Sequence, residues 1–130
     1  MNQRIARTNR RKVGTGGENY ASMILARDGY SVLCRNYTCP KGEVDIIAAK
    51  DDCICFVEVK LRSLSSGVSA AEAVDKQKLA RISGCIEYFF DEYRDNRYAS
   101  SLRPRVDIVE IYTAKGMVKK YNHITDVDIH

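Results

Sequence analysis

Three charged side chains that could do chemistry lie within two apolar stretches of the chain. Asp45 interrupts the run from Gly42 to Ala48, and Glu58 and Lys60 end the run from Ile54 to Lys60. A buried carboxylate loses its hydration, so it needs a cation, a proton or hydrogen-bond donors close by. Acids held in apolar runs are therefore candidates for a metal or phosphate site.

A tight turn at Asp51-Asp52 would fold the two runs into an antiparallel hairpin. In the register that such a turn predicts, Asp45 faces Glu58 and Glu43 faces Lys60. Facing residues have Cβ atoms about 4.5–5.5 Å apart, and like charges at that distance are destabilising. We interpret Glu43 with Lys60 as a cross-strand ion pair, and Asp45 with Glu58 as a site for a cation. The opposite face would be wholly apolar: Val44, Ile46, Ala48, Cys55, Val57 and Val59.

The two facing acids supply oxygen ligands, which suit Mg²⁺ or Mn²⁺ rather than zinc. The backbone carbonyl of Val59 is a further candidate ligand, and Glu18 could approach from a preceding helix as an outer carboxylate. Lys60 could orient a water or stabilise charge that develops on a phosphate. Acids and a lysine around a metal form a minimal set for hydrolysing phosphodiesters.

Helical and strand patterns alternate along the chain and predict how these residues are positioned. Gly84, inside the second helix, predicts close packing at that point. A turn is expected at residues 39–42 and a mobile loop at residues 61–67. The expected elements are a helix over residues 18–28, a strand over 30–37, the two facing strands, a helix over 70–93, and strands over 105–112 and 117–124. Apolar strands with helices before and after them predict a three-layer α/β/α sandwich around a mixed sheet.

Several segments, taken in order, carry a resemblance to a known family. They are Gly17-Glu18 with Ala21, Gly29-Tyr30, Arg35-Asn36-Tyr37, residues 42–48, residues 56–62, Ala73-Val74-Asp75 with Lys78, and residues 105–109. Together they resemble the YraN-type family of small bacterial proteins. That family belongs to the restriction-endonuclease-like PD-(D/E)xK nuclease superfamily, which includes archaeal Holliday-junction resolvases.

The resemblance implies roles for individual residues. Asp45, Glu58 and Lys60 correspond to the acid–acid–lysine core of the superfamily, and Glu18 to its helix-borne acid. Lys78 falls where the family often has a basic residue on the second helix. The usual proline before the first acid is absent, because Val44 stands there.

Charge is unevenly distributed over the 130 residues. The net charge is +4, yet the N-terminal arm alone contributes five basic residues before any acid, so the remainder is close to neutral. We expect a flexible basic arm over residues 1–16 and a single domain over residues 17–130. The globular part is not a strongly basic nucleic-acid binder. The arm is either a phosphate-binding tail, with contacts by Arg10, Arg11 and Lys12, or a solvated disordered terminus.

Other features of the sequence indicate where in the cell the protein acts. No apolar stretch approaches the length of a membrane span, and the N-terminus has no apolar signal core. The five cysteines include no CxxC pair, which favours reduced thiols in the cytoplasm over a zinc or iron–sulfur site. Asp107 is interpreted as a structural acid, and His123 and His130 as surface residues.

We therefore expect a Mg²⁺- or Mn²⁺-dependent endonuclease that acts on DNA, in particular branched or structured DNA. Lys78 and Arg62 are candidate nucleic-acid contacts in addition to the arm. The alternative for Lys78 is a lysine whose aliphatic stem packs on apolar surface while its ammonium stays in water. A four-way junction would favour a homodimer, and no membrane partner is expected. Two alternatives remain open: a non-catalytic nucleic-acid-binding module, and a structural partner of other DNA-processing proteins.

Overall fold

A computed structural model of the chain describes residues 16–64 and 76–129. These residues form an α/β fold with one five-stranded sheet. The elements are α1 (Gly16–Arg27), β1 (Ser31–Cys39), β2 (Gly42–Lys50), β3 (Cys53–Ser63), α2 (Lys76–Glu92), α3 (Arg97–Ser101), β4 (Arg103–Ala114) and β5 (Met117–Ile124). The predicted α/β class with a mixed sheet is confirmed.

The strands lie in chain order, β1-β2-β3-β4-β5, and only the β3–β4 pair is parallel. Two-residue turns join the antiparallel neighbours, and Asp51 and Lys115 adopt the left-handed backbone conformation that such turns require (φ 54° and 52°). Parallel strands cannot be joined by a short turn, so the chain between β3 and β4 makes a long crossover that includes α2.

Two apolar clusters hold the helices to the sheet. One joins Ala21 and Leu25 of α1 to alternate residues of the central strands, among them Ile46 and Val57. The other joins α2 to the intervening strand residues: Leu79, Ile82, Cys85 and Phe89 with Ile47, Ile54 and Phe56. Because neighbouring residues of a strand point to opposite faces, the central strands contribute to both clusters and are apolar on both sides.

Two segments differ from the expectations. The loop expected from Leu61 begins later, because residues 61–63 continue β3 and pair with β4. Residues 65–67 of that predicted loop lie outside the described residues. The polar connector before β4 contains the short helix α3, whose N-cap is Asn96, with its side chain accepting a hydrogen bond from Ala99 N. Residues 70–75 of the expected second helix also lie outside the described part.

The apolar face predicted for β2 is wrong at one residue. Val44 packs in the same cluster as Ile47 and the α2 side chains, not with Ile46. Strict alternation is therefore interrupted between Val44 and Ile46, at Asp45. On the neighbouring strand Asn36 has a left-handed backbone conformation (φ 54°) at the same level. A periodic pattern could not predict this local distortion.

Candidate functional site

The predicted β2–β3 register is confirmed up to the edge of the site. Regular pairing runs from Lys50–Cys53 to Ile46–Val57. Beyond this pair, the contact between the strands is made by a side chain: Asp45 Oδ2 accepts a hydrogen bond from the backbone N–H of Val59 at 2.8 Å. This contact ties the carboxylate to the segment that carries Glu58 and Lys60.

Glu58 is the most deeply buried acid of the site, with 4% of its side chain exposed. Its Oε2 lies 2.6 Å from Lys78 Nζ and 3.3 Å from Lys60 Nζ. Its Oε1 is buried and has no hydrogen-bond partner among the described residues. Both lysines thus contact the same oxygen of the carboxylate. The other oxygen can still accept a hydrogen bond or bind a cation.

The electrostatics of Asp45 show that negative charge is crowded here. Burial, then the charge of Glu58 and more weakly that of Glu18, together raise the pKa of Asp45 to about 7. The Val59 N–H and the charge of Lys78 oppose the shift. Asp45, Glu58 and Glu18 are therefore close enough to interact, and a cation placed among them would favour the ionised form of Asp45.

Lys78 lies at the start of α2 and reaches across to β3. Burial lowers its pKa, but the hydrogen bond to Glu58 and the charges of Glu58 and Asp45 outweigh burial, so the pKa is raised above its ordinary value. Its side chain is 40% exposed. The ammonium group is consequently a permanent positive charge at the mouth of the site.

Glu18 approaches from the first turn of α1, as expected. Its Oε1 lies 3.9 Å from Arg35 Nη2 on β1, and its carboxylate contributes to the raised pKa of Asp45. Arg35 was not among the predicted site residues. Its Nε and Nη2 are buried without a hydrogen-bond partner in the described part of the chain, so it adds a positive charge on the α1 side of the acids.

The acids are not assembled as a closed metal cage. Within residues 16–64 and 76–129, no three His, Cys, Asp or Glu side chains form a group that could hold a metal ion. The contacts of Glu58 are instead with two lysines. The proposed metal ligation by Asp45, Glu58 and the Val59 carbonyl stays a prediction.

The remaining predicted residues fall into three groups. Lys60 forms its ion pair with Glu58 on its own strand, and the pairing of Glu43 with Lys60 stays a prediction. Arg62 lies two residues further along β3, and its Nε and Nη2 are buried without an acceptor among the described residues. Arg10, Arg11 and Lys12 lie outside the described part.

A second buried acid lies on the neighbouring strand β4. Asp107 is fully buried and receives two hydrogen bonds from Arg105, at 2.9 and 2.8 Å, and a third from the backbone N–H of Asp126 at 3.1 Å. His123 Nε2 lies 2.8 Å from Asp107 Oδ2, and Arg105 also bonds the Tyr30 hydroxyl at 2.7 Å. Asp107 is the structural acid that the sequence predicted.

The surface role predicted for His123 is wrong, because only 12% of its side chain is exposed and the ring contacts Asp107. A hairpin register drawn through the turn at residues 115–116 would have placed His123 opposite Ile108. The register shift between Tyr112 and Thr113 moves it opposite Val109, on the same face of β4 as Asp107. His130 lies outside the described residues.

Taken together, these features describe an α/β protein with a mixed sheet and a cluster of acids and lysines where β2 and β3 separate. Residues 17–111 match the model of the uncharacterised protein family UPF0102. The chain belongs to this family, and the YraN-type resemblance is thereby confirmed.

Curated relatives cover nearly the whole chain. A UPF0102 protein of Caldicellulosiruptor bescii is 40% identical over 121 residues, which is 91% of this chain and 98% of the relative. One of Caldanaerobacter subterraneus subsp. tengcongensis is 35% identical over 122 residues, 92% of this chain and 97% of the relative. None of the described helices has the length and apolar character needed to cross a membrane.

Proposed function

We propose that this protein is a Mg²⁺- or Mn²⁺-dependent endonuclease that hydrolyses phosphodiester bonds in DNA, in particular branched or structured DNA. The observation that carries the proposal is the buried Glu58 carboxylate beside Asp45, with one oxygen unpartnered and two lysines on the other. The five reduced cysteines favour action in the cytoplasm. The proposed fold relationship is a three-layer sandwich of the restriction-endonuclease-like PD-(D/E)xK type.

The residues fit a hard divalent cation. Glu58 Oε1 is a buried oxygen in need of a partner. Burial and then the charge of Glu58 raise the pKa of Asp45, and a cation bound here would oppose both effects. Carboxylate and carbonyl oxygens are the ligands that Mg²⁺ prefers, so Asp45, Glu58 and the Val59 carbonyl would hold it. When bound, the metal would polarise a phosphate oxygen and acidify a coordinated water.

The chain's own groups would position the substrate. Lys60, within 3.3 Å of Glu58, is placed to stabilise charge that develops on a phosphate. Lys78 is 40% exposed, so its ammonium can shift from Glu58 to a phosphate oxygen without leaving a fully buried position. The Val59 N–H keeps the Asp45 carboxylate turned towards the site.

Cleavage assays test the proposal. Linear, flapped and four-way DNA and RNA would be incubated with Mg²⁺ or Mn²⁺, and with EDTA. We expect metal-dependent cleavage that falls on the order of a hundredfold in Asp45→Asn and in Lys60→Ala. Asp51→Asn and Lys115→Ala, at exposed turn positions, are matched controls that should keep full activity.

Cleavage that survives both site substitutions, or none on any substrate, would contradict the nuclease assignment. A non-catalytic nucleic-acid-binding module is the second candidate, because the contacts of Glu58 are with lysines and the described residues contain no three-acid metal group. Binding without cleavage, unchanged in Asp45→Asn, would favour this module.

The basic arm offers a separate test. If Arg10, Arg11 and Lys12 contact phosphates, deleting residues 1–12 should weaken DNA binding and reduce the dependence of affinity on salt. An unchanged salt slope would reject that role. If a four-way junction is the substrate, the bound species should be a symmetric dimer by light scattering.

A further inference from the structure

A pair of thiols lies where the middle of α2 packs against the β1–β2 turn, seven residues beyond Lys78. Cys39 ends β1 and Cys85 lies on α2, and their sulfur atoms are 3.3 Å apart. Both cysteines are free. The two sulfurs would have to approach by only about 1.3 Å to reach the length of a disulfide bond.

The backbone holds this pair in place. Gly84, the neighbour of Cys85, lies so close to the turn that an added Cβ would be 3.0 Å from Lys41 Cβ. Gly42 is similarly close to α2, because a Cβ added to it would lie 3.4 Å from Arg81 Cβ. The turn and the helix are therefore in direct contact on both sides of the thiols, and their proximity does not depend on a long flexible side chain.

The two thiols have different environments. Cys39 is partly exposed, and its sulfur accepts a hydrogen bond from the backbone N–H of Lys41 at 3.3 Å. Cys85 is fully buried, and burial together with the Cys39 contact raises the pKa of its thiol to about 12. Cys39 is thus the sulfur that an oxidant can reach, and Cys85 is a protonated thiol behind it.

We propose that Cys39 and Cys85 form a peroxide-sensitive dithiol, with Cys39 as the reacting sulfur and Cys85 as the resolving one. The Cys39 thiolate attacks hydrogen peroxide, so that a sulfur–oxygen bond forms, the O–O bond breaks and the leaving hydroxide becomes water. Cys39 is then a sulfenic acid. The Cys85 sulfur attacks it, the disulfide forms, and hydroxide leaves with the Cys85 proton as a second water. Each sulfur loses one electron, and the peroxide gains two.

This site is independent of the proposed nuclease activity. The other three cysteines contrast with the partly exposed Cys39, since Cys34, Cys53 and Cys55 are all buried. Burial raises the pKa of Cys34 to about 11 and that of Cys55 to about 12, which disfavours their thiolates. A closed Cys39–Cys85 bond would fasten the β1–β2 turn to α2.

The test treats the reduced full-length protein with hydrogen peroxide, blocks remaining thiols with N-ethylmaleimide under denaturing conditions, and maps peptides by mass spectrometry without reductant. We expect two of the five thiols to become unavailable. The Cys39 and Cys85 peptides should be linked, and dithiothreitol should restore both thiols. Cys53→Ser, the matched control, should keep the linked pair.

Two variants separate the roles. Cys39→Ser should leave the other four thiols alkylatable after the same treatment. Cys85→Ser should stop at the sulfenic acid and give a dimedone adduct on Cys39, a readout that does not depend on disulfide formation. Five alkylatable thiols in the treated wild type, a disulfide between other cysteines, or over-oxidised Cys39 without a disulfide would overturn the proposal.

Discussion

Two buried acids on adjacent strands, Asp107 of β4 and Glu58 of β3, differ in the hydrogen-bond donors that surround them. Asp107 receives hydrogen bonds from Arg105 and from the Asp126 amide and contacts His123. Glu58, on the adjacent strand, has lysines at one oxygen and no hydrogen-bond partner among the described residues at the other. Both are nearly inaccessible to water.

The pKa values reflect this difference. Burial raises the pKa of Asp107, but the hydrogen bonds from His123, Arg105 and Asp126 outweigh burial and hold it below its ordinary value. At Asp45, beside Glu58, burial and neighbouring acids prevail and raise the pKa to about 7. A buried acid with a complete set of donors stabilises the fold, whereas a cluster with too few donors favours binding of a proton or a cation.

The largest change in stability is expected at Asp107, the acid with the full set of hydrogen-bond donors. Asp107→Asn removes the charge that compensates Arg105 and should lower the free energy of unfolding at pH 7 by about 3 kcal/mol, as for a broken buried ion pair. Urea unfolding measures this value. The exposed pair of Asp52 with Arg103 supplies the control, and Asp52→Asn should cost less than about 0.5 kcal/mol. Equal losses in the two variants would contradict the comparison.

At the candidate site, by contrast, removing the charge of an acid should stabilise the protein. The native pKa of Asp45 is raised to about 7, so the folded state keeps a proton that the unfolded chain loses near pH 4, and stability declines as pH rises between these values. Asp45→Asn should therefore increase the free energy of unfolding at pH 8 by about 2 kcal/mol and change little at pH 4. Urea unfolding at the two pH values tests this, with Asp51→Asn as control. If Asp45→Asn were less stable than the wild type at pH 8, the contrast between Asp45 and Asp107 would be wrong.

Asp107 should also make the stability of the protein depend on pH in the acid range. Because its native pKa lies under the unfolded value of about 3.9, its stabilising contribution is fully present above that pH and disappears as pH falls through the native pKa. We expect the urea midpoint of the wild type to fall more steeply below pH 4 than that of Asp107→Asn. Parallel acid profiles for the two proteins would show that Asp107 carries no such linkage.

The smallest effect is expected at the edge of the Asp107 cluster. Tyr30→Phe removes a hydroxyl that accepts from Arg105 at 2.7 Å but leaves both Arg105–Asp107 bonds in place. It should cost about 1 kcal/mol, which is measurable as a shift in the urea midpoint. Tyr98→Phe, at a half-exposed ring, should have no effect and serves as control. A loss as large as that of Asp107→Asn would mean that the cluster acts as one unit.

Much of the geometry could be predicted from residue types and spacing. Two apolar runs on either side of Asp51-Asp52 specify a hairpin, and a slip of one residue would expose its apolar face, so the register from Ile46–Val57 to Lys50–Cys53 followed from the pattern. Gly84 predicted a close helix contact, which the approach of Lys41 confirms.

The departures occur where distant elements meet. The hairpin pattern predicts no interruption at Asp45, where the side chain replaces a regular ladder contact and Val44 turns to the α2 cluster. Lys78 comes eighteen positions after Lys60, and only the crossover from β3 to α2 brings its ammonium to the same Glu58 oxygen. His123 reaches Asp107 because β5 pairs with β4.

The sequence by itself determined which residues are acidic, which strands are apolar on both sides, and therefore that buried carboxylates would need compensation. Only the tertiary structure decided how each is compensated. Periodicity depends on local backbone geometry and acts over a few residues. Compensation of a buried charge depends on which donors from distant segments lie within about 3 Å. Asp107 and Glu58 look alike along the chain, and the donors brought by β4, β5 and α2 make them different.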